Sequence, residues 1–154
     1  MKKLGFIFFP LLALGAGMLS GYLAAPGLAS VYPLLEKSAL TPPGEVFPVV
    51  WTVLYLLMGI GLAMVVKRGG KGTGRAALLW CAQLAVNVSW SLLFFGAGAY
   101  LEALICLGIL WMLILLMILA FHSVSRWAAW IQIPYFLWVS FAGYLNLVVW
   151  QLNP

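Results

Sequence analysis

In a chain this apolar, the few polar side chains carry most of the chemical information. Gln83, Asn87 and Ser91 follow at intervals of four residues, which sets all three on one helix face. Trp80 and Trp90 border that face. Trp51, Tyr55 and Met58, at steps of four and three, make a second stripe. Tyr135, Trp138, Ala142 and Asn146, at steps of three, four and four, make a third. Each stripe mixes flat aromatic groups with amide or hydroxyl groups, and the small Ala142 leaves room among large neighbours. Indole faces stack on planar rings, and indole N–H groups donate hydrogen bonds. An apolar wall with a few polar anchors is the usual makeup of a small-molecule site. The pattern therefore describes a cavity for a flat hydrophobic ligand. The competing reading is an interhelical seam, in which a side-chain amide hydrogen bond within a membrane is worth about 0.6 kcal/mol on average. Asn146 reads as such a clamp, whereas Trp51, Asn87 and Trp138 read as ligand contacts.

Conventional catalytic groups are scarce. The sequence has no aspartate, its glutamates fall at span boundaries or in loops, and its one histidine, His122, falls at a helix end. A Ser–His–Asp arrangement is impossible, and no metal-ligating cluster is expected. Arg68-Gly69-Gly70-Lys71-Gly72 lacks the spacing of a phosphate loop and reads as a flexible basic turn. Cys81 and Cys106 have no metal-type spacing and are expected to be buried as small apolar groups. The spans also lack carboxylates for a proton relay.

The elements that hold these stripes follow from composition. Hydrophobic residues make up 66% of the 154 positions and charged residues 7%, against roughly 25% charged in a soluble domain. The charges cluster and leave five charge-free stretches: Leu4 to Leu35, Val46 to Val66, Ala76 to Leu101, Ala103 to Ser125, and Trp127 to Pro154. Each is long enough for a helix to cross a hydrocarbon layer of about 30 Å. Barrel strands would alternate polar and apolar residues, and these stretches do not. The expected fold is therefore an all-α integral membrane protein, a five-transmembrane-helix bundle in one domain. Its spans are placed near 4–25, 46–66, 76–96, 103–122 and 127–150.

The net charge of +5 reads as an orientation signal within the bilayer and not as a nucleic-acid footprint. Lys2, Lys3, Lys67, Arg68, Lys71, Arg75 and Arg126 share one face of a five-span serpentine, while Glu36, Lys37, Glu45 and Glu102 share the other. The N-terminus is expected inside a cell membrane of bacterial type and the C-terminus outside. Lys2-Lys3, an apolar run and Leu23-Ala24-Ala25 have the outline of a signal peptide, but the run is long for a signal core and is kept as span one.

Residues 26–45 carry Pro26, Pro33, Pro42 and Pro43 and are expected to form one long outer loop of the kind that often serves as a lid. The other links are short and would make consecutive spans antiparallel neighbours. Ala13, Gly17, Gly21 and Ala25 repeat every four residues along span one, allowing close approach of another span or of a second subunit. Trp127, Trp130 and Trp150 lie near span ends and fit an interfacial aromatic belt.

Several segments together resemble the TspO/MBR family, also called tryptophan-rich sensory proteins or translocator proteins, which includes the peripheral benzodiazepine receptor. They are Pro42-Pro43; Val50 through Trp51, Tyr55 and Met58 to Gly59; Gln83 through Asn87, Trp90 and Ser91 to Gly96; and Pro134 to Trp138 with Phe141-Ala142 and Leu145-Asn146. The resemblance implies a five-helix bundle, commonly dimeric, that binds porphyrins and benzodiazepine- or isoquinoline-type drugs between its helices. Carried over position by position, it points to Tyr32, Pro42, Trp51, Asn87, Trp90, Ser91, Trp138 and Ala142 as ligand-binding residues.

The resemblance also has departures. Where the family has Trp-Tyr, then Lys-Pro-x-Trp, this chain has Val31-Tyr32 and Lys37-Ser38-Ala39-Leu40. Leu147 to Gln151 lacks the basic residue associated with cholesterol in animal relatives, so sterol transport is not expected. The function implied is sensing, sequestration or transport of tetrapyrroles such as protoporphyrin IX, with no obligatory cofactor. The enzyme-like alternative is degradation of a bound porphyrin under light and oxygen. The pigment would then supply the reactivity, and Trp51 and Trp138 would be the participating indoles.

Overall fold

A computed structural model describes residues 2–154. The five spans are α1 (Gly5–Ser30), α2 (Val46–Arg68), α3 (Thr73–Ser91) continued by a π-helical turn (Leu92–Gly96), α4 (Tyr100–Val124), and a broken fifth span of α5 (Arg126–Trp130) and α6 (Ile133–Leu152). Even the shortest span, at 23 residues, is about 35 Å long, enough to cross a bilayer core. The outward faces are as apolar as the interior: Phe8, Leu11, Met18, Leu78, Ile105, Leu119 and Leu137 are all exposed. A helix apolar all round is stable only where its surroundings are apolar too, so these faces meet lipid. The chain is an integral membrane protein of five helices.

α1 packs along α2, α3 along α4, and α4 along α6. The link between α2 and α3 is short, yet these two helices touch only sparingly, because α1 also packs against α3 and its π turn. Short links thus made neighbours of α3 and α4 and of α4 and the fifth span but not closely of α2 and α3, whereas α1 and α2 pack together although the long loop joins them. Trp80, Met58, Leu110, Ile114, Met117 and Tyr135 are fully buried in the shared core.

Three boundaries differ from expectation. α1 continues through Pro26 to Ser30, so the loop begins later than residue 26. A proline near a helix end forfeits one backbone bond while its fixed φ still suits the helix. Ser30 Oγ then donates back to the Pro26 carbonyl at 2.7 Å. Between α4 and α5 the link shrinks to Ser125, whose side chain caps α5 by accepting from the Ala128 N–H at 3.5 Å. The fifth span breaks at Ile131–Gln132, ahead of Pro134 at the start of α6. Gln132 is fully buried there and donates to the Leu57 carbonyl of α2 at 2.9 Å, pinning the break in place.

Glycines set two close approaches. Gly59 lies against the backbone of Phe9 and Pro10, and Gly27 against the Phe95 carbonyl of the π turn; neither leaves room for a Cβ. Of the small stripe on α1, Ala13 is buried and Gly17 lies under the Tyr55 ring, so this part of it packs within the chain. Cys81 is exposed on the membrane-facing side, against expectation, because its position on α3 faces away from the bundle.

Candidate functional site: an aromatic cavity beneath the loop

A cavity of about 540 Å³ opens in the half of the bundle nearest the long loop. That volume falls within the range of roughly 300–1,000 Å³ usual for small-molecule sites. α2 contributes Trp51 and Tyr55, α3 contributes Asn87, Trp90 and Ser91, α6 contributes Trp138 and Ala142, and the loop contributes Tyr32. Helical spacing explains the convergence, since each group comes from one stripe. Of the eight ligand-binding residues that the resemblance implies, Pro42 alone does not line the cavity. It is half-buried in the loop instead.

The walls are built by rings in series. Trp51 stacks on Tyr55, with centroids 5.6 Å apart and planes 30° apart. It also lies 6.4 Å from Trp90 at 33°, and Trp90 lies 5.6 Å from Phe94 at 31°. Phe47 meets Trp138 edge-on at 5.9 Å, and Tyr32 meets Phe95 edge-on at 5.5 Å. Flat faces set this way suit a planar ligand.

Beneath the rings lies a closed polar floor. The Tyr55 hydroxyl donates to Asn87 Oδ1 at 2.7 Å, and Asn87 Nδ2 donates to the Tyr135 hydroxyl at 2.8 Å. That hydroxyl donates in turn to Gln83 Oε1 at 2.7 Å. α2, α3 and α6 are joined by one chain of bonds whose members are all buried. Asn87 therefore faces the cavity with its amide already committed. Asn146 clamps: it accepts from Trp90 Nε1 at 3.0 Å and donates to the Tyr100 carbonyl at 2.9 Å. Trp138 differs from Trp90, for its buried indole N–H has no acceptor among the described residues.

The loop is tied across the cavity mouth. Asn153, just beyond α6, accepts from the Glu36 N–H at 3.1 Å and donates to the Glu36 carbonyl at 2.9 Å. Ser38 and Tyr144 share a hydroxyl bond of 2.9 Å. Lys37 Nζ donates to the carbonyls of Tyr32 and Leu35 at 2.9 and 3.0 Å and sits 4.8 Å from the Tyr32 ring centroid. Burial pushes the Tyr32 hydroxyl above its usual pKa, so it remains a neutral donor.

Sequence reasoning missed one wall. Gly17, Ser20, Gly21 and Ala24 of α1 line the cavity. Only Gly17 and Gly21 belong to the small-residue stripe expected to pack closely against another helix; Ser20 and Ala24 lie outside it, and toward the loop these small side chains provide volume instead. Phe95 was also missed, because the π turn that directs it has no period in the sequence.

An aromatic cavity lined by four of five membrane-spanning segments, with a tethered loop at its edge, defines a class of helical membrane bundle. The sequence profile of the TspO/MBR family matches residues 6–151, and the chain belongs to that family. It is 42% identical to the tryptophan-rich protein TspO of Chlorobaculum tepidum, over 80% of this chain and 79% of the relative. The tryptophan-rich sensory protein of Cereibacter sphaeroides is 34% identical over 93% of this chain and 88% of its own length. The translocator protein of Bos taurus is also 34% identical, over 99% of this chain and 90% of its own.

Proposed function

We propose that this protein binds planar, largely apolar molecules in the cavity beneath its loop, with porphyrins as the physiological class and protoporphyrin IX as the representative ligand. On this reading it senses, sequesters or carries tetrapyrroles, and benzodiazepine- and isoquinoline-type drugs compete for the same space. The observation that supports it best is the convergence of Trp51, Trp90 and Trp138 on one cavity of about 540 Å³. The names of the relatives, sensory and translocator, agree with a sensing or carrying role. The basic end of the bundle is taken as cytoplasmic, following the positive-inside rule, and pairing with a second copy belongs to the same proposal.

The test is a dark titration of detergent-solubilised protein with protoporphyrin IX, read by tryptophan quenching and repeated with Trp138→Ala. Saturation near one porphyrin per chain, weakened by the substitution, is expected. Linear quenching indifferent to the substitution would show partition into detergent and end the proposal. A second reading, porphyrin degradation under light and oxygen, is favoured by the position of two oxidisable indoles, Trp51 and Trp138, on the cavity wall. Bleaching under illumination that Trp51→Phe or Trp138→Phe abolishes, with dark binding retained, would support it.

A further inference from the structure

The cavity walls carry no charge, but one cation stands at the mouth. Seven of the chain's basic residues, Lys2, Lys3, Lys67, Arg68, Lys71, Arg75 and Arg126, gather at the far end of the bundle, and Lys37 is the only one on the loop side. Lys37 is half-buried, its ammonium lies 4.8 Å from the Tyr32 ring centroid, and Tyr32, though not Lys37 itself, lines the cavity. Both acceptors that hold it, the carbonyls of Tyr32 and Leu35, are neutral, and among the described residues no carboxylate joins them. An ammonium has three donors, so a third remains after these two bonds. Carbonyls fix the position of the charge without neutralising it. A partly desolvated cation so held favours an anion far more than the same group in open water does.

We propose that Lys37 anchors a carboxylate on the rim of a ligand whose flat apolar body lies among the rings below, so that the cavity prefers planar carboxylic acids over their neutral counterparts. This rests on the binding function proposed above and narrows its ligand class. The loop geometry supports it, because the reciprocal bonds between Asn153 and Glu36 hold the residue adjacent to Lys37 against the end of α6. The ammonium is thereby presented at a fixed place and not on a free loop, which reduces the ordering required on binding.

The test compares protoporphyrin IX with its dimethyl ester, which keeps the ring and removes both negative charges. Each is titrated in the dark into protein in zwitterionic lipid nanodiscs, for the natural chain, Lys37→Gln and Lys37→Arg. The acid should bind about tenfold more tightly than the ester to the natural chain, the scale of one partly exposed charge-assisted contact. That ratio should fall towards one in Lys37→Gln and return in Lys37→Arg, where the charge is restored even if the carbonyl contacts shift. A ratio near one in the natural chain, or a ratio that Lys37→Gln leaves intact, would overturn the anchor while leaving cavity binding in place. Absence of saturable binding by either compound would instead overturn the binding function itself. Salt separates a charge effect from loop loosening: the ratio should shrink as ionic strength rises, and a salt-independent ratio would also count against the anchor.

Discussion

Asn87 offers the sharpest probe of the polar floor, because one side chain there joins three helices. In Asn87→Ala, the Tyr55 hydroxyl loses its acceptor at 2.7 Å and the Tyr135 hydroxyl loses its donor at 2.8 Å. At about 0.6 kcal/mol for an average interhelical bond in a membrane, and about 1.7 at most, two bonds give about 1–3 kcal/mol. Asn87 and Tyr135 are almost wholly excluded from solvent, so no water replaces the lost partner directly and the upper half of that range is expected. The assay is reversible unfolding in mixed micelles, followed by far-ultraviolet circular dichroism, for Asn87→Ala, Tyr55→Phe, Tyr135→Phe and the paired variants. Each pair should show a coupling of about 0.6 kcal/mol or more, since its members share one bond. Couplings within about 0.3 kcal/mol of zero for both pairs would refute the floor as an energetic unit. The floor also reaches the ligand, because Tyr55 carries Trp51 stacked at 5.6 Å. Asn87→Ala should therefore weaken porphyrin binding several-fold, through Trp51 as well as through the stretch of cavity wall that Asn87 itself forms.

Gly59→Ala places a methyl group against the backbone of Pro10 and should cost about 1–3 kcal/mol of stability, while Gly15→Ala, with open space around it, should be neutral or slightly stabilising in the same unfolding assay. Asn153→Ala removes both bonds that hold Glu36, so backbone hydrogen exchange in residues 31–45 should accelerate while exchange in α4 stays constant; equal rates in the loop would refute the tether. Because burial raises the pKa of Tyr32 above its ordinary value of 10.0, its hydroxyl stays protonated as pH rises from 7 to 9. Affinity for the uncharged dimethyl ester should accordingly be flat over that interval, and a fall centred below pH 9 that Tyr32→Phe removes would contradict this environment.

The spans were legible because charge cannot enter lipid cheaply, so the charge-free stretches marked the helices. The aromatic stripes were legible because a helix repeats every 3.6 residues and keeps Trp51, Tyr55 and Met58 on one side. What failed to show was everything set by one helix meeting another. Asn87 looked like a ligand contact from its own face, but whether its amide is free depends on Tyr55 and Tyr135, distant in sequence. Pro26 looked like a terminator, and only the helical continuation closed by Ser30 shows otherwise. The α1 wall and the loop tether were illegible for the same reason: Asn153 reaches Glu36 across 117 positions.

The π turn explains how so small a bundle keeps an open cavity. An ordinary α-helix would place Phe94 and Phe95 about 100° apart with unbroken bonding. Here Ala97 N–H bonds back to the Leu92 carbonyl, five residues away, and the turn widens. Phe94 then enters a separate buried cluster with Ala103 and Val149, while Phe95 supports Tyr32 at the cavity mouth. Gly27 lets α1 rest directly on the Phe95 carbonyl, so the end of α1 is propped by backbone and not by side chains that could collapse inward. With the floor amides committed and the walls built of stacked rings, little polarity remains to attract water. Among the described residues, the donors left over near the cavity are the Trp138 N–H in the wall and the third N–H of the Lys37 ammonium, whose other two are held by carbonyls. On the proposed function, such a site would select first by flatness and only then by acceptors placed on the periphery of the ligand.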